Sequence, residues 1–312
     1  MNWCTDCAVA SPLGQSALVA VVLTITTFVC LVRARGNAQQ LLALAALAFA
    51  AVAVGTAIAS GMIGVLGVVA LLLFGTACYY YRMSTRPNVV RTMAVLLGVS
   101  AVVLATHRVP GFHGLPLLAP TVICEGCQRL WLLGHMDKPF VGLLLFAIAL
   151  NGWPLWSRGK RAHPPLLRSA GVTVTTVAVV ALAVMGVMSL LSAVRWAPKA
   201  PDVATVMMFL AVNLFFTTFA EEVFFRMFLH DAMRRCFPKT FTSAWRIIAA
   251  STALFGLAHI AGGPLYVLGA LLAGIGYGYV YEKTQRIEWA IAAHFGVNVT
   301  HFFLFSYPRL AP

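Results

Sequence analysis

Phe219-Ala220-Glu221-Glu222-Val223-Phe224-Phe225-Arg226 is the stretch that decides how this chain is read. Two adjacent carboxylates and an arginine stand in a segment, starting near Val203, that is otherwise rich in Ala, Val, Met, Leu and Phe. An ionised carboxylate at the centre of a bilayer costs roughly 2.5–3.5 kcal/mol on insertion scales, so it needs a partner, water or a proton. Glu222 and Arg226 are four apart and share a helix face, which allows them to pair and lock helix packing. Glu221 lies about 100° round the helix from Glu222. It has no local cation in register, so a functional role is expected for it.

Composition explains why this segment is a membrane span. Of 312 residues, 61% are hydrophobic and 10% are charged, more apolar surface than a soluble domain can hide. The expected class is an all-α, polytopic membrane helix bundle. Asp6, Glu125, Asp137, Asp202, Asp231, Glu282 and Glu288 can be placed in loops or at span ends; Glu221 and Glu222 cannot. At roughly 20 apolar residues per crossing, ten spans are expected near 16–32, 40–59, 62–81, 92–106, 139–156, 170–194, 203–230, 245–260, 264–281 and 287–306. The fourth is short enough to sit shallowly in the bilayer. Fifteen Lys and Arg fall in one set of alternate loops and six in the other, with Arg226 inside a span. That bias puts both termini outside the cytoplasm. The net charge of +13 is scattered in small loop clusters without interleaved aromatics, so membrane lipids rather than nucleic acid are the expected contacts. Met1–Gln15 has no Lys or Arg and contains Asp6, so the first span is expected to stay in the mature protein.

Two parts differ in character. Residues 1–130 form an N-terminal extension of about four spans plus an outer loop, with no charge well inside a span. Residues 131–312 form a bundle that holds the intramembrane polar groups. There Phe255 and His259 close the eighth span before a Gly262-Gly263-Pro264 break, and the tenth carries His294, Asn298 and His301. A single histidine in an apolar helix more often packs against a carbonyl than catalyses. Three helices supplying such groups change the expectation, because intramembrane ionisable side chains face the bundle interior. At about 1.5 Å per residue from the cytoplasmic ends, Glu221, His259, His294 and Asn298 lie roughly 10–24 Å deep. His230 and Asp231 read as interfacial and His301 as supporting. The sequence has no Gly-x-Ser-x-Gly elbow and no His-Glu-x-x-His pair. A carboxylate with a histidine can hold and deprotonate a water. A second imidazole and a carboxamide can donate to a developing oxyanion. The set suits peptide-bond hydrolysis without a covalent intermediate, a cofactor or a metal.

Glu-Glu-x-x-x-Arg at Glu221, Glu222 and Arg226, Phe-x-x-x-His at Phe255 and His259, and His-x-x-x-Asn at His294 and Asn298 occur in that order. Together they resemble the CAAX protease and bacteriocin-processing family of glutamate-dependent intramembrane proteases. The resemblance covers roughly 200–306, with weaker likeness from about 130 through Met136-Asp137-Lys138. It implies that Glu221 and His259 activate the water and that His294 and Asn298 form the oxyanion hole. Glu222 and Arg226 would support the site, and Phe255 would pack beside it. The family acts on prenylated tails, bacteriocin leaders and hydrophobic C-terminal sorting tails, so the implied partner is a membrane-anchored peptide or protein. An Ala/Val/Arg-rich composition points to a bacterial inner membrane. A non-catalytic scaffold or immunity-type protein, and a proton-coupled transporter, are the alternatives.

Cys4-x-x-Cys7 and Cys124-x-x-Cys127 both fall on the expected outer side. Disulfides within or between the pairs, a four-thiolate zinc site and free thiols all remain open.

Overall fold

The computed structural model describes residues 11–31, 37–149 and 164–310. Among the described residues, ten helical stretches lie where spans are expected, the fifth described only as far as residue 149. They are α1 (Pro12–Leu31), α2 (Asn37–Ala59), α3 (Val65–Met83), α4 (Pro87–Ala105), α5 (Asp137–Leu144), α6 (Leu166–Leu190), α7 (Val203–Cys236), α8 (Ala244–Ala258), α9 (Pro264–Thr284) and α10 (Ile287–Leu304). Seven of them, α1 to α4, α6, α7 and α9, are long and apolar enough to cross a membrane unaided. The chain is thus a multi-pass membrane protein. Leu41, Leu44, Leu66, Leu72, Val95 and Leu182 point outward as lipid-facing side chains would. Thr24, Thr56, Thr76 and Ser100 return their hydroxyl protons to carbonyls four residues back, the internal satisfaction that hydrocarbon demands. The fourth span is longer than expected: Pro87, whose missing N–H suits the first helical turn, starts it five residues before position 92.

The helices cluster into two compact units. The first comprises the described parts of Met1–Leu117, Leu133–Arg161 and Phe215–Phe224. In it α1 packs along α2, and the buried residues of the two helices include Ala17, Val21 and Thr24 on α1 and Ala46, Ala53 and Ala57 on α2. Small residues at such spacing let two backbones approach closely. α5 continues as a π-helical turn over Leu145–Ala149 and packs on α3 and α4. At its middle, a Cβ on Gly142 would sit 2.9 Å from the Ala220 Cα, so a glycine is what admits the 219–222 turn this closely.

The second unit comprises Leu118–Leu132, the described part of Ala162–Leu214, and Phe225–Pro312 as far as residue 310. Here α9 is the central helix. Gly274 and Gly278 face Thr252, Phe255 and Ile248 of α8, whereas Gly276 faces Val180 of α6. Asp202 caps α7 by accepting from the Thr205 N–H (2.9 Å) and hydroxyl (2.6 Å).

The long loop over 107–138 holds two strands that the sequence did not suggest, β1 (Leu115–Thr121) and β2 (Leu130–Gly134), which pair with each other. Leu130 rests against the stacked rings of Phe209 and Phe302, whose centroids are 3.8 Å apart. Cys124 and Cys127 form a disulfide across the connection between the strands, with Cα atoms 5.4 Å apart. Of the possible thiol chemistries this one is realised for that pair. Cys4 and Cys7 lie outside the described residues, as do Arg33, Arg35, Arg158, Lys160 and Arg161.

Candidate active site

α7 is not a uniform α-helix. Val212–Thr218 and Val223–Phe228 are π-helical and flank a single α turn, Phe219–Glu222. π-helical insertions recur at functional sites because each changes the direction in which side chains leave the helix. The expected site residues divide between the two units: Glu221 and Glu222 fall in the first, and Arg226, Phe255, His259, His294 and Asn298 in the second.

In the first unit the Lys138 ammonium donates to Glu221 Oε1 at 2.6 Å, with the two side chains 21% and 12% exposed. Glu221 therefore has a cation, supplied from 83 residues away in sequence. Lys138 reads in the sequence as a loop cation, yet it meets α7 roughly 27 Å along the helix from Val203 at 1.5 Å per residue. The neighbouring Asp137, expected at a span end, is fully buried. Its Oδ1 accepts the Lys138 backbone N–H at 2.8 Å and its Oδ2 contacts Nδ1 of His107 at 2.7 Å. His107, in the left-handed region at φ 58°, stacks on His135 with ring centroids 3.9 Å apart and planes 22° apart. Burial first, and then the nearby His107, push the His135 imidazole down to about 4, with Asp137 acting the other way. These three side chains each bring a potential metal-ligating atom within 4.8 Å of the others. Near-parallel rings aim their in-plane lone pairs side by side rather than at one point, and His107 Nδ1 is already engaged. The geometry is that of a hydrogen-bonded brace behind Lys138. Glu222 is fully buried.

In the second unit Phe255 is the hub. Its ring lies 4.5 Å from that of His259 and 5.8 Å from that of His294, edge-on in both cases. The Arg226 guanidinium stands 4.6 Å over the same ring and donates to the Gly274 carbonyl at 3.2 Å. Arg226 is fully buried, so these cation–π and carbonyl contacts help replace its hydration. His259 ends α8, and its Nδ1 meets the Phe255 carbonyl at 2.7 Å. A carbonyl can only accept, so in neutral His259 the proton sits on Nδ1 and Nε2 keeps its lone pair for chemistry. His294 is buried, with its ring stacked 4.4 Å from Tyr277. The Asn298 amide donates to Asn213 Oδ1 at 3.3 Å. The structure thus brings Phe255, His259 and His294 together, sets Arg226 against them, and orients Asn298 by a side chain from α7.

His301 donates from Nε2 to the Ser306 carbonyl (3.0 Å). His230 is fully buried within the protein, held by Glu282 at 2.6 Å and Ser251 at 3.1 Å. Glu282, expected at a span end, also takes Arg234 through both oxygens. This network satisfies buried charge across α7, α8 and α9. Sequence reasoning missed Lys138 and Asn213. The signals were present: an Asp-Lys pair at the start of a span, and an amide inside an apolar one.

Residues 203–300 match the family model described as Rce1-like, type II CAAX prenyl endopeptidase. No curated protein and no solved structure matches the chain. The matched interval contains all three motifs, from Glu221 to Asn298. Over this interval, about a third of the chain, the sequence is similar to the CAAX prenyl endopeptidase family.

Proposed function

We propose that this protein is a glutamic-type intramembrane endopeptidase that cleaves a membrane-anchored peptide or protein, with a hydrophobic C-terminal tail as the substrate class. The observation that carries this reading is the family match over the interval holding the three motifs in order. Glu221 takes the proton of the attacking water as general base. His259 shares that water through Nε2. His294 and Asn298 donate to the oxyanion that develops on the scissile carbonyl, a contribution of about 3–4 kcal/mol per donor in comparable sites. Glu222, Arg226 and Phe255 support these groups. The reading needs no metal or other cofactor, and the cell membrane of a bacterium is its proposed setting. In this reading residues 1–130 are an N-terminal extension and residues 131–312 the protease-like part.

The test is comparative membrane proteomics of a strain carrying Glu221→Ala or His259→Ala beside one carrying the unaltered protein. An uncleaved membrane-anchored precursor should accumulate in both variants while each still inserts at normal abundance. If neither accumulates a precursor, the chain is a scaffold that keeps the motifs for packing.

A further inference from the structure

We propose that Lys138 is the positioning residue for Glu221, holding its side chain in place and keeping it a carboxylate at neutral pH. This inference rests on Glu221 being the general base. The ammonium contacts Oε1 at 2.6 Å, just under the roughly 2.7–2.9 Å usual for a charge-assisted hydrogen bond of this kind. A carboxylate offers about four lone-pair positions, more than the lysine contact takes up.

Three features show that the lysine is built in rather than incidental. It is the second residue of α5, and the fully buried Asp137 accepts its backbone N–H. Asp137 is in turn held by His107, which follows α4, and His107 stacks on His135, which follows β2. One helical turn onward on the same face, Gly142 lets α5 lie against Ala220, the residue before Glu221. The helix is therefore fixed at two points that straddle the contact.

The charge argument follows from burial. Without a countercharge, a carboxylate in an apolar span takes up a proton, and a protonated acid cannot serve as a base. Among the described residues, the titratable and charged groups in the unit that holds Glu221 include Lys138 and Asp137 on α5, His107 and His135 behind them, Tyr81 and Cys78 on α3, which packs on α5, and Glu222 on the same helix as Glu221. Arg226 follows one turn further along α7. Lys138 is the group seen in ion-pair contact with Glu221.

The experiment is infrared difference spectroscopy at pH 7 on the full-length protein in lipid nanodiscs. Subtracting Glu221→Gln from the unaltered protein should show no protonated-carboxyl carbonyl band. Subtracting Lys138→Met/Glu221→Gln from Lys138→Met should show one, and Lys138→Arg should behave like the unaltered protein. Lys138→Gln serves as a second neutral variant should Lys138→Met fail to insert. In parallel, processing of the precursor found above should fall at least about tenfold at pH 7 in Lys138→Met. It should recover as the pH is raised, and Lys138→Arg should retain it. A purely structural lysine would lose processing at every pH. A band absent from both neutral variants, or already present in the unaltered protein, overturns the proposal. Should Glu221→Gln leave processing intact, the protease reading fails whatever the spectra show.

Discussion

Replacing Gly142 by Ala adds one methyl group where α5 meets the Phe219–Glu222 turn. That carbon would lie 2.9 Å from the Ala220 Cα, 3.0 Å from Phe219 Cε1 and 3.2 Å from the Ala220 Cβ. Carbon pairs rest at about 3.5–4.0 Å, so the shortfall is about 0.6 Å or more. The nearest atom is backbone, and no rotamer change removes it; the two helices must separate. An opening of that size stretches the Lys138–Glu221 bond from 2.6 Å to about 3.2 Å, beyond the charge-assisted range. Two energies compete. Removing a glycine from a helix interior favours the folded chain by about 0.5–1 kcal/mol, while overpacking costs about 1–3 kcal/mol. Overpacking wins, for a net loss of about 1–2 kcal/mol. Gly98 of α4 has nothing within 4 Å of its would-be Cβ, so Gly98→Ala keeps only the favourable contribution. Unfolding of the purified variants in mixed micelles measures both, and precursor processing reads the stretched ion pair. The reasoning is refuted if Gly142→Ala is as stable as Gly98→Ala and processes precursor at the normal rate.

Four further outcomes are expected. Asn213→Leu removes the acceptor that orients Asn298 and should slow processing about three- to tenfold with little change in substrate affinity, the worth of one neutral hydrogen bond; equal loss in both parameters would contradict it. Glu282→Gln leaves His230 and Arg234 without their carboxylate and should destabilise by about 3 kcal/mol, at the lower end for a buried pair because Arg234 is 30% exposed. Because burial holds the folded His135 near 4, below its ordinary value of 6.5, the unfolded chain binds the extra proton as pH falls. Stability should therefore drop between about pH 6.5 and 4, and His135→Phe should flatten that slope in pH-dependent unfolding. Alkylation under non-reducing conditions should leave Cys124 and Cys127 unlabelled, and replacing both by Ser should cost about 2 kcal/mol or less, since the closed loop is short.

Much of the architecture was legible because hydrocarbon imposes a simple rule: a segment of about 20 apolar residues must be helical to satisfy its own backbone. Seven of the ten expected spans, long and apolar enough to cross on their own, and the break at Gly262-Gly263-Pro264 follow from that rule applied locally. The β1–β2 hairpin was not legible. Leu-Pro-Leu-Leu-Ala-Pro-Thr carries two prolines and no alternating pattern, and its pairing depends on a partner nine residues on. The partners of His230 were not legible either, because distance from a span end says nothing about which neighbour covers a side chain. Glu282 and Ser251 cover it.

The sequence by itself determined that this is a polytopic helical membrane protein and which helices carry acid, imidazole and amide groups, because charge in lipid is costly enough to stand out residue by residue. Only the tertiary structure decided which groups meet. Lys138 reaches Glu221 because Gly142 lets two helices touch, Phe255 gathers two imidazoles and a guanidinium, and Asn213 turns Asn298. Those pairings join residues as many as 85 apart in the chain. They depend on close packing between helices, which no local pattern of apolar residues encodes.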